Sequence, residues 1–298
     1  MKKKKRLIII DTSILIYRAY HALPPFRTKK GDLINAIYGF SLIFFRVIRD
    51  FQPNYIVAAF DTPKPTFRHT EFKEYKGKRP PMPEELSSQI GRIKELLKEF
   101  GIFSLEKEGF EADDIIGTVA ALVQKEKMWP EMEIIIITSD LDTLQLVERN
   151  INVCTLKRGI NDIMLYDEEK VKERYDLLPS NLIDFRALKG DPSDNIPGVA
   201  GIGEKTAISL LKDFGSLDNI YHQIEKESDQ AAKIKLPIKE KLIKNKESAF
   251  FSRSLSIIKK DVPVNFYLEE CNFKNYNREK GAGVLKKLEL FSLINKMP

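Results

Sequence analysis

Three short, almost uninterrupted apolar runs in this sequence each end on an aspartate. Residues 7–10 are followed by Asp11, residues 55–60 by Asp61, and residues 134–139 by Asp140, with Asp142 two further on. Apolar runs this short read as strands buried on both faces, not as half-exposed ones. Helical patterns lie between them. Residues 33–48 are apolar along much of their length. After Pro83, residues 84–100 put Leu86, Ile90, Ile93, Leu96, Leu97 and Phe100 on one stripe, and residues 112–127 do the same with Ile115, Ile116, Val119, Leu122 and Val123. Strands alternating with helices of this length predict right-handed crossovers and an α/β fold, with a mainly parallel central sheet flanked by helices.

The pattern changes near residue 178. Pro179 and Ser180 open a helix that carries Leu182, Ile183, Phe185 and Leu188 and stops at Gly190. A loop rich in glycine and proline follows, then a second helix over 204–214 that stops at Gly215. Residues 238–258 read as helical and strongly basic. The expected division is therefore an α/β domain over 1–177 and a helical region over 178–298. At 298 residues and 43% hydrophobic, the chain can bury a core, and its composition excludes a disordered or fibrous protein. Cys154 and Cys271 have no neighbours at disulfide or zinc spacing. No apolar stretch approaches the roughly 18 residues a membrane span needs, so a cytoplasmic protein without membrane contact is expected. The basic run at Lys2–Lys5 reads as a solvated tail.

In an open α/β sheet, ligands bind outside the carboxyl ends of the strands, where Asp11, Asp61, Asp140 and Asp142 fall. Any one of them is ordinary turn chemistry; together they point to one crevice. Glu111, Asp113 and Asp114 start a helix that needs only one carboxylate at its N-terminus. Asp191 and Asp194 add a pair. Like charges so close raise one another's pKa unless a cation neutralises them, and oxygen-only clusters select hard divalent ions. Nine carboxylates in one cleft are thus expected to need metal, whose chemistry is to activate water and stabilise charge on a transferring phosphoryl group. His21, His69 and His222 share no pattern and are expected to be surface or packing residues.

Residues 64–79 hold six basic against two acidic side chains, with Phe67, Phe72 and Tyr75 interleaved. Single-stranded nucleic acid binding calls for that mixture, and a solvated helix with aromatic anchors shares it. Gly198, Gly201 and Gly203 precede the helix that carries Lys205. A helix N-terminus behind glycines suits a sequence-independent grip on a phosphate backbone.

With these residues in view, the chain resembles the 5′-nuclease (flap endonuclease) family, which includes the 5′ to 3′ exonuclease domain of bacterial DNA polymerase I and free-standing homologues. The resemblance rests on Tyr17-Arg-Ala-Tyr-His-Ala-Leu-Pro-Pro25, Thr66-Phe-Arg68, Tyr75-Lys76, Arg79-Pro-Pro-Met-Pro83 and Glu111-Ala-Asp-Asp-Ile-Ile-Gly117. It extends through Ser139-Asp-Leu-Asp142, Gly190-Asp-Pro-Ser-Asp-Asn-Ile-Pro-Gly198 and Gly201-Ile-Gly-Glu-Lys-Thr-Ala207. Thr12 and Ser139 stand where the family usually has glycine.

The resemblance implies two Mg2+ ions, with Mn2+ as an alternative. Asp11, Asp61, Glu111, Asp113 and Asp114 would surround the first, and Asp140, Asp142, Asp191 and Asp194 the second. It makes residues 64–83 part of a helical arch over the 5′ single strand, with Lys76 and Arg79 near the scissile phosphate and Arg18 contacting it. Arg68, Tyr75, Gly198, Gly201, Gly203 and Lys205 are expected to meet DNA. A helix-turn-helix variant of the helix-hairpin-helix kind at 190–215 would hold duplex backbone around K+. The implied activity is divalent-metal-dependent, structure-specific cleavage of DNA flaps and nicks in primer removal, replication and repair, by a monomer that works with a DNA polymerase. The alternatives are a non-catalytic DNA-junction binder and an acidic-site phosphatase or ribonuclease.

Overall fold

The computed structural model describes residues 4–125, 131–156 and 162–298. Lys2, Lys3 and the last two residues of the helix expected over 112–127 lie outside the described residues. The chain runs β1 (Arg6–Asp11), α1 (Thr12–Ala22), α2 (Asn35–Phe51), β2 (Tyr55–Phe60), α3 (Phe67–Glu71), α4 (Glu84–Glu99), β3 (Phe103–Glu106) and α5 (Ala112–Lys125). Next come β4 (Glu133–Thr138), a 3-10 turn over Leu141–Leu146, β5 (Ile151–Leu156), β6 (Ile163–Tyr166), α6 (Glu168–Tyr175), α7 (Leu182–Lys189), α8 (Glu204–Phe214) and α9 (Leu217–Glu225). The remaining α-helices are α10 (Asp229–Ala232), α11 (Leu236–Lys244), α12 (Lys246–Ser256), α13 (Arg278–Lys287) and α14 (Phe291–Ile294), with an extended segment between α12 and α13.

Six strands form one sheet in the order β3-β2-β1-β4-β5-β6. All pairs are parallel except β5 with β6. The three strands read from sequence are the central ones. Successive side chains point to opposite faces, and both faces are covered. Ile8, Ile10, Ile56, Ala58, Ile135 and Ile137 pack under α1, α2 and α4. Leu7, Ile9, Val57, Ala59, Ile134 and Ile136 pack under α5 and the 3-10 turn. Because Ile10 stands opposite both Ala58 and Ile137, the carboxyl ends of β1, β2 and β4 lie level and present one edge.

A separate core in the second half joins Phe185 and Leu188 of α7 to Leu210, Leu211, Ile220 and Leu242 of the helices after it. The segment after α12 then crosses α5. Lys259 N–H donates to Asp114 (2.9 Å) and Val262 N–H to Thr118 (3.0 Å). Gly117 permits this approach, since a Cβ there would stand 2.7 Å from Ile258 Cγ2 and 2.8 Å from the Lys259 carbonyl. Finally α13 and α14 return to the first layer, adding Val284, Leu285, Leu290 and Leu293 to the core under α2 and α4. Among the described residues, no helix is long and apolar enough to cross a membrane.

Candidate metal and nucleic-acid site

The level strand ends bring their aspartates to one place. Asp11 closes β1 and caps α1 by accepting from Ile14 N–H (3.3 Å). Thr138, the last residue of β4, donates its hydroxyl to Asp11 Oδ2 (2.8 Å) and accepts from Asp140 N–H (3.0 Å), tying two strand ends together. Asp61 follows β2, donates its N–H to Ser13 Oγ and accepts from Ala112 N–H at the start of α5, each at 2.8 Å. Asp140 caps the 3-10 turn through Asp142 N–H (2.8 Å). The Asp113 carboxylate, on the first turn of α5, has no hydrogen-bond partner among the described residues.

These four carboxylates carry the electrostatic strain of the site. Burial, then the neighbouring Asp61, pushes Asp11 up to about 8, against the pull of its hydrogen bonds. Burial followed by Asp140, Asp11 and Glu111 raises Asp113 well above the ordinary carboxylate range. Asp140 is raised chiefly by burial, with Lys76 opposing. Asp61 is open along the cleft, but the protein mass around it excludes enough water to raise its pKa too, opposed by the Ala112 N–H.

The other five carboxylates are paired with cationic side chains. Asp114 is fully buried under Arg68, whose guanidinium grips it at 2.7 and 2.8 Å and also reaches Glu111 at 3.4 Å. Lys76 Nζ lies 2.8 Å from Glu111 and 3.8 Å from Asp194. Arg79 pairs with Asp194 (2.5 Å). Arg186 of α7 bridges Asp142 and Asp191. Burial alone would raise Asp191, but Ser193 and Arg186 outweigh it and hold Asp191 below its usual value.

The basic segment is thus turned inward. Within 64–83 the helical content is the short α3, followed by turns over 73–78. The turn is fastened to the acidic loop by Lys76 N–H to the Asp194 carbonyl (3.0 Å) and by Asn195 Nδ2 to the Glu74 carbonyl (2.9 Å). Arg68 and Tyr75, expected on the DNA surface, are buried. Arg68 also donates to the Leu255 and Ile257 carbonyls, and the Tyr75 hydroxyl lies between Glu111 (3.2 Å) and Asp194 (3.3 Å). Composition cannot separate a strand-binding segment from one folded over an acidic floor. Lys76 and Arg79 do reach the carboxylates. Arg18 is half-buried on α1, about 10 Å along the helix from Asp11. His69 caps α3 through Thr66, a structural role.

Gly203 caps α8 without a side-chain partner, and Gly203 and Lys205 are exposed there. Gly198 (φ +66) is buried at the base of the loop, where a Cβ would stand 2.4 Å from the Gly190 nitrogen. Gly201 (φ +77) is exposed, and its carbonyl accepts from Lys241 (3.1 Å). Thr138, Arg186 and Lys241 escaped the sequence reading. Only Arg186 left a trace, a cation in the last turn of α7 five residues before Asp191.

Oxygen-only donors without cation partners suit a hard divalent ion. Two buried hydroxyls beside them, Thr62 Oγ1 and Ser139 Oγ, have no hydrogen-bond partner among the described residues, as expected where water carried by an ion would sit. Among the described residues, no three acidic, histidine or cysteine side chains converge closely enough to hold an ion as they stand.

A family model for the 5′-3′ exonuclease N-terminal resolvase-like domain matches residues 6–176, and one for the 5′-3′ exonuclease C-terminal SAM fold matches 177–279. The chain is 40% identical over 294 residues to DNA polymerase I of Bacillus caldotenax, covering 99% of this chain and 32% of the relative. It is 40% identical over 297 residues to DNA polymerase I of Bacillus subtilis, covering 100% and 33%. It therefore spans about a third of the length of these relatives. Its fold is similar to that of T5 5′-exonuclease with bound zinc, at a TM-score of 0.65 and 19% identity, over 97% of this chain and 100% of the other. The catalytic core of Rad2 in complex with a DNA substrate aligns at a TM-score of 0.58 and 20% identity, over 99% and 93%.

Proposed function

The chain belongs to the 5′-3′ exonuclease family, and from that membership we propose that it is a divalent-metal-dependent, structure-specific nuclease that trims 5′ ends and cuts 5′ flaps in DNA. The observation that carries this reading is the division of the nine carboxylates. Arg68, Lys76, Arg79 and Arg186 neutralise five, while Asp11, Asp61 and Asp140 at the strand ends and Asp113 at the start of α5 have raised pKa values and no bonded cation among the described residues. A polyanion binder gains nothing from uncompensated acids beside its ligand.

The four unpaired carboxylates would hold the first ion, and Asp142, Asp191 and Asp194 would contribute to a second. Mg2+ fits the donors, and Mn2+ would replace it. Such ions, when bound, lower the pKa of a water and offset charge on the leaving oxygen. The protein's own part is to position. Thr138 fixes Asp11 and Asp140 relative to each other, and Ser13 and the α5 N-terminus fix Asp61. Lys76 and Arg79 are charged, close to the carboxylates and placed to exchange them for the scissile phosphate, with Arg18 on the α1 side. Gly203 and Lys205 at the start of α8 would grip the duplex backbone, and carbonyls of the 198–203 loop would accept K+. We assign 1–177 to the nuclease domain, whose core α13 and α14 complete, and the helices between 178 and 256 to duplex binding. Flapped or nicked DNA is the substrate, primer removal and repair the setting, and a DNA polymerase the working partner of a cytoplasmic monomer.

The test is a 5′-flap duplex, labelled at the flap end, incubated with Mg2+ or with chelator. Cleavage near the flap junction, only with metal and leaving 5′-phosphate on the trimmed strand, is expected. Cutting in chelator, or none with either ion, contradicts the reading.

A further inference from the structure

Arg186 joins two carboxylates from distant parts of the chain. One arm of its guanidinium reaches Asp142 in the turn after β4, and the other reaches Asp191 after α7. Asp191 is held on its other oxygen by the N–H (2.8 Å) and hydroxyl (2.7 Å) of Ser193, so its position is set. No side-chain cation is bonded to Asp11, Asp61, Asp113 or Asp140 among the described residues. An ion arriving there displaces no bonded side-chain cation among the described residues. An ion arriving at Asp142 and Asp191 must compete with a fork that uses the same lone pairs.

We propose that Arg186 is a built-in counter-cation for the second carboxylate group: it competes with a second divalent ion for Asp142 and Asp191 and yields to it when its guanidinium transfers to a DNA phosphate. The proposal rests on the two-ion nuclease reading above. Its chemistry is an exchange of oxyanions, because the two guanidinium arms that here reach one carboxylate each can close together on a single phosphate. There is room for the exchange. A cavity of about 500 Å³ opens against Arg186, lined by Asp142, Tyr175, Phe185, Lys189 and Asp191. The arrangement makes ion loading sequential, so the nuclease is completed on its substrate and not before. Arg186 is then a positioning residue that acts through ion affinity. A residue that merely orients the carboxylates would have the opposite signature, since its removal would weaken the second ion.

The experiment is Mn2+ titration of the metal-free 298-residue chain without DNA, followed by the electron paramagnetic resonance signal of free Mn2+, for the wild type, Arg186→Met and Arg186→Lys. In the wild type we expect one tight and one weak ion. In Arg186→Met the second ion should tighten at least tenfold while the first stays within about twofold. Arg186→Lys, which keeps a charge but loses the fork, should fall between and serves if the methionine variant does not fold. Two ions with unchanged or weakened second affinity in the variants would overturn the proposal alone. A single ion in every protein would overturn it together with the two-ion reading, while metal-dependent flap cleavage would still stand.

Discussion

Asp113 and Asp114 are neighbours that the sequence does not distinguish. An α-helix turns about 100° per residue, which sends one carboxylate to the strand ends and the other beneath Arg68. Asp114 has 0% exposure and Arg68 3%, so each is the other's compensation for leaving water. Breaking a buried pair from one side leaves an uncompensated charge and costs about 3–5 kcal/mol. Asp114→Ala should therefore lower the urea-unfolding free energy by that amount. Asp113→Ala removes a repelled and partnerless acid, so it should leave stability within about 1 kcal/mol of wild type or raise it. Equal losses would erase the distinction between the structural aspartate and the one proposed to hold the ion. The nine acids were legible because each sits at a strand end, a helix start or a turn. Their partners were not, because Arg68 and Asp114 are 46 residues apart and Arg79 and Asp194 115, and no local pattern pairs them.

At the level of elements, the central strands and their flanking helices follow from apolar periodicity, which is why the carboxyl edge could be located. The edge strands were missed because β3 and β6 are four residues each and only partly buried, too short to show a period. The fate of residues 64–83 was also hidden: expected as an arch, the segment carries one short helix and a turn fastened to the acidic loop. The edge has a consequence for pH. A carboxyl with a raised folded value keeps its proton after the unfolded chain has released it, so its contribution is full below 3.8 and is lost as pH climbs toward the folded value. With Asp11 near 8, the metal-free protein pays increasingly for ionisation between about pH 4 and 8, and a bound cation reverses that. The rise in melting temperature produced by saturating Mg2+ should be larger at pH 8 than at pH 6. A gain that is flat or shrinks with pH would show that these carboxylates are not the ion's ligands.

Across the whole molecule, the net charge of +6 is a cancellation. Removing the nine clustered acids leaves 34 acidic against 49 basic side chains, with residues 233–260 carrying nine basic and two acidic. DNA binding should therefore weaken steeply with salt, log Kd rising by roughly 0.9 per phosphate contact for each unit of log salt. A flat response in a filter-binding series would contradict a backbone grip. The return of α13 and α14 to the first layer was invisible in sequence. It depends on long-range contacts such as Asn277 N–H to the Phe100 carbonyl (2.8 Å) and the stacking of Tyr276 on Phe100 at 5.1 Å. That return ties the far end of the helical half to the sheet whose edge bears the acids. The central claim, that the carboxylates here without a bonded cation hold the ion that cutting requires, is tested by single-turnover cleavage of a 5′-flap duplex. The comparison is wild type, Asp113→Ala and Asp140→Ala at saturating enzyme, with the affinity for the same duplex measured in chelator. We expect affinities within a few-fold of wild type and cleavage slowed about a thousandfold or more, a barrier increase of about 4 kcal/mol. Full-rate cleavage by either variant would contradict the claim.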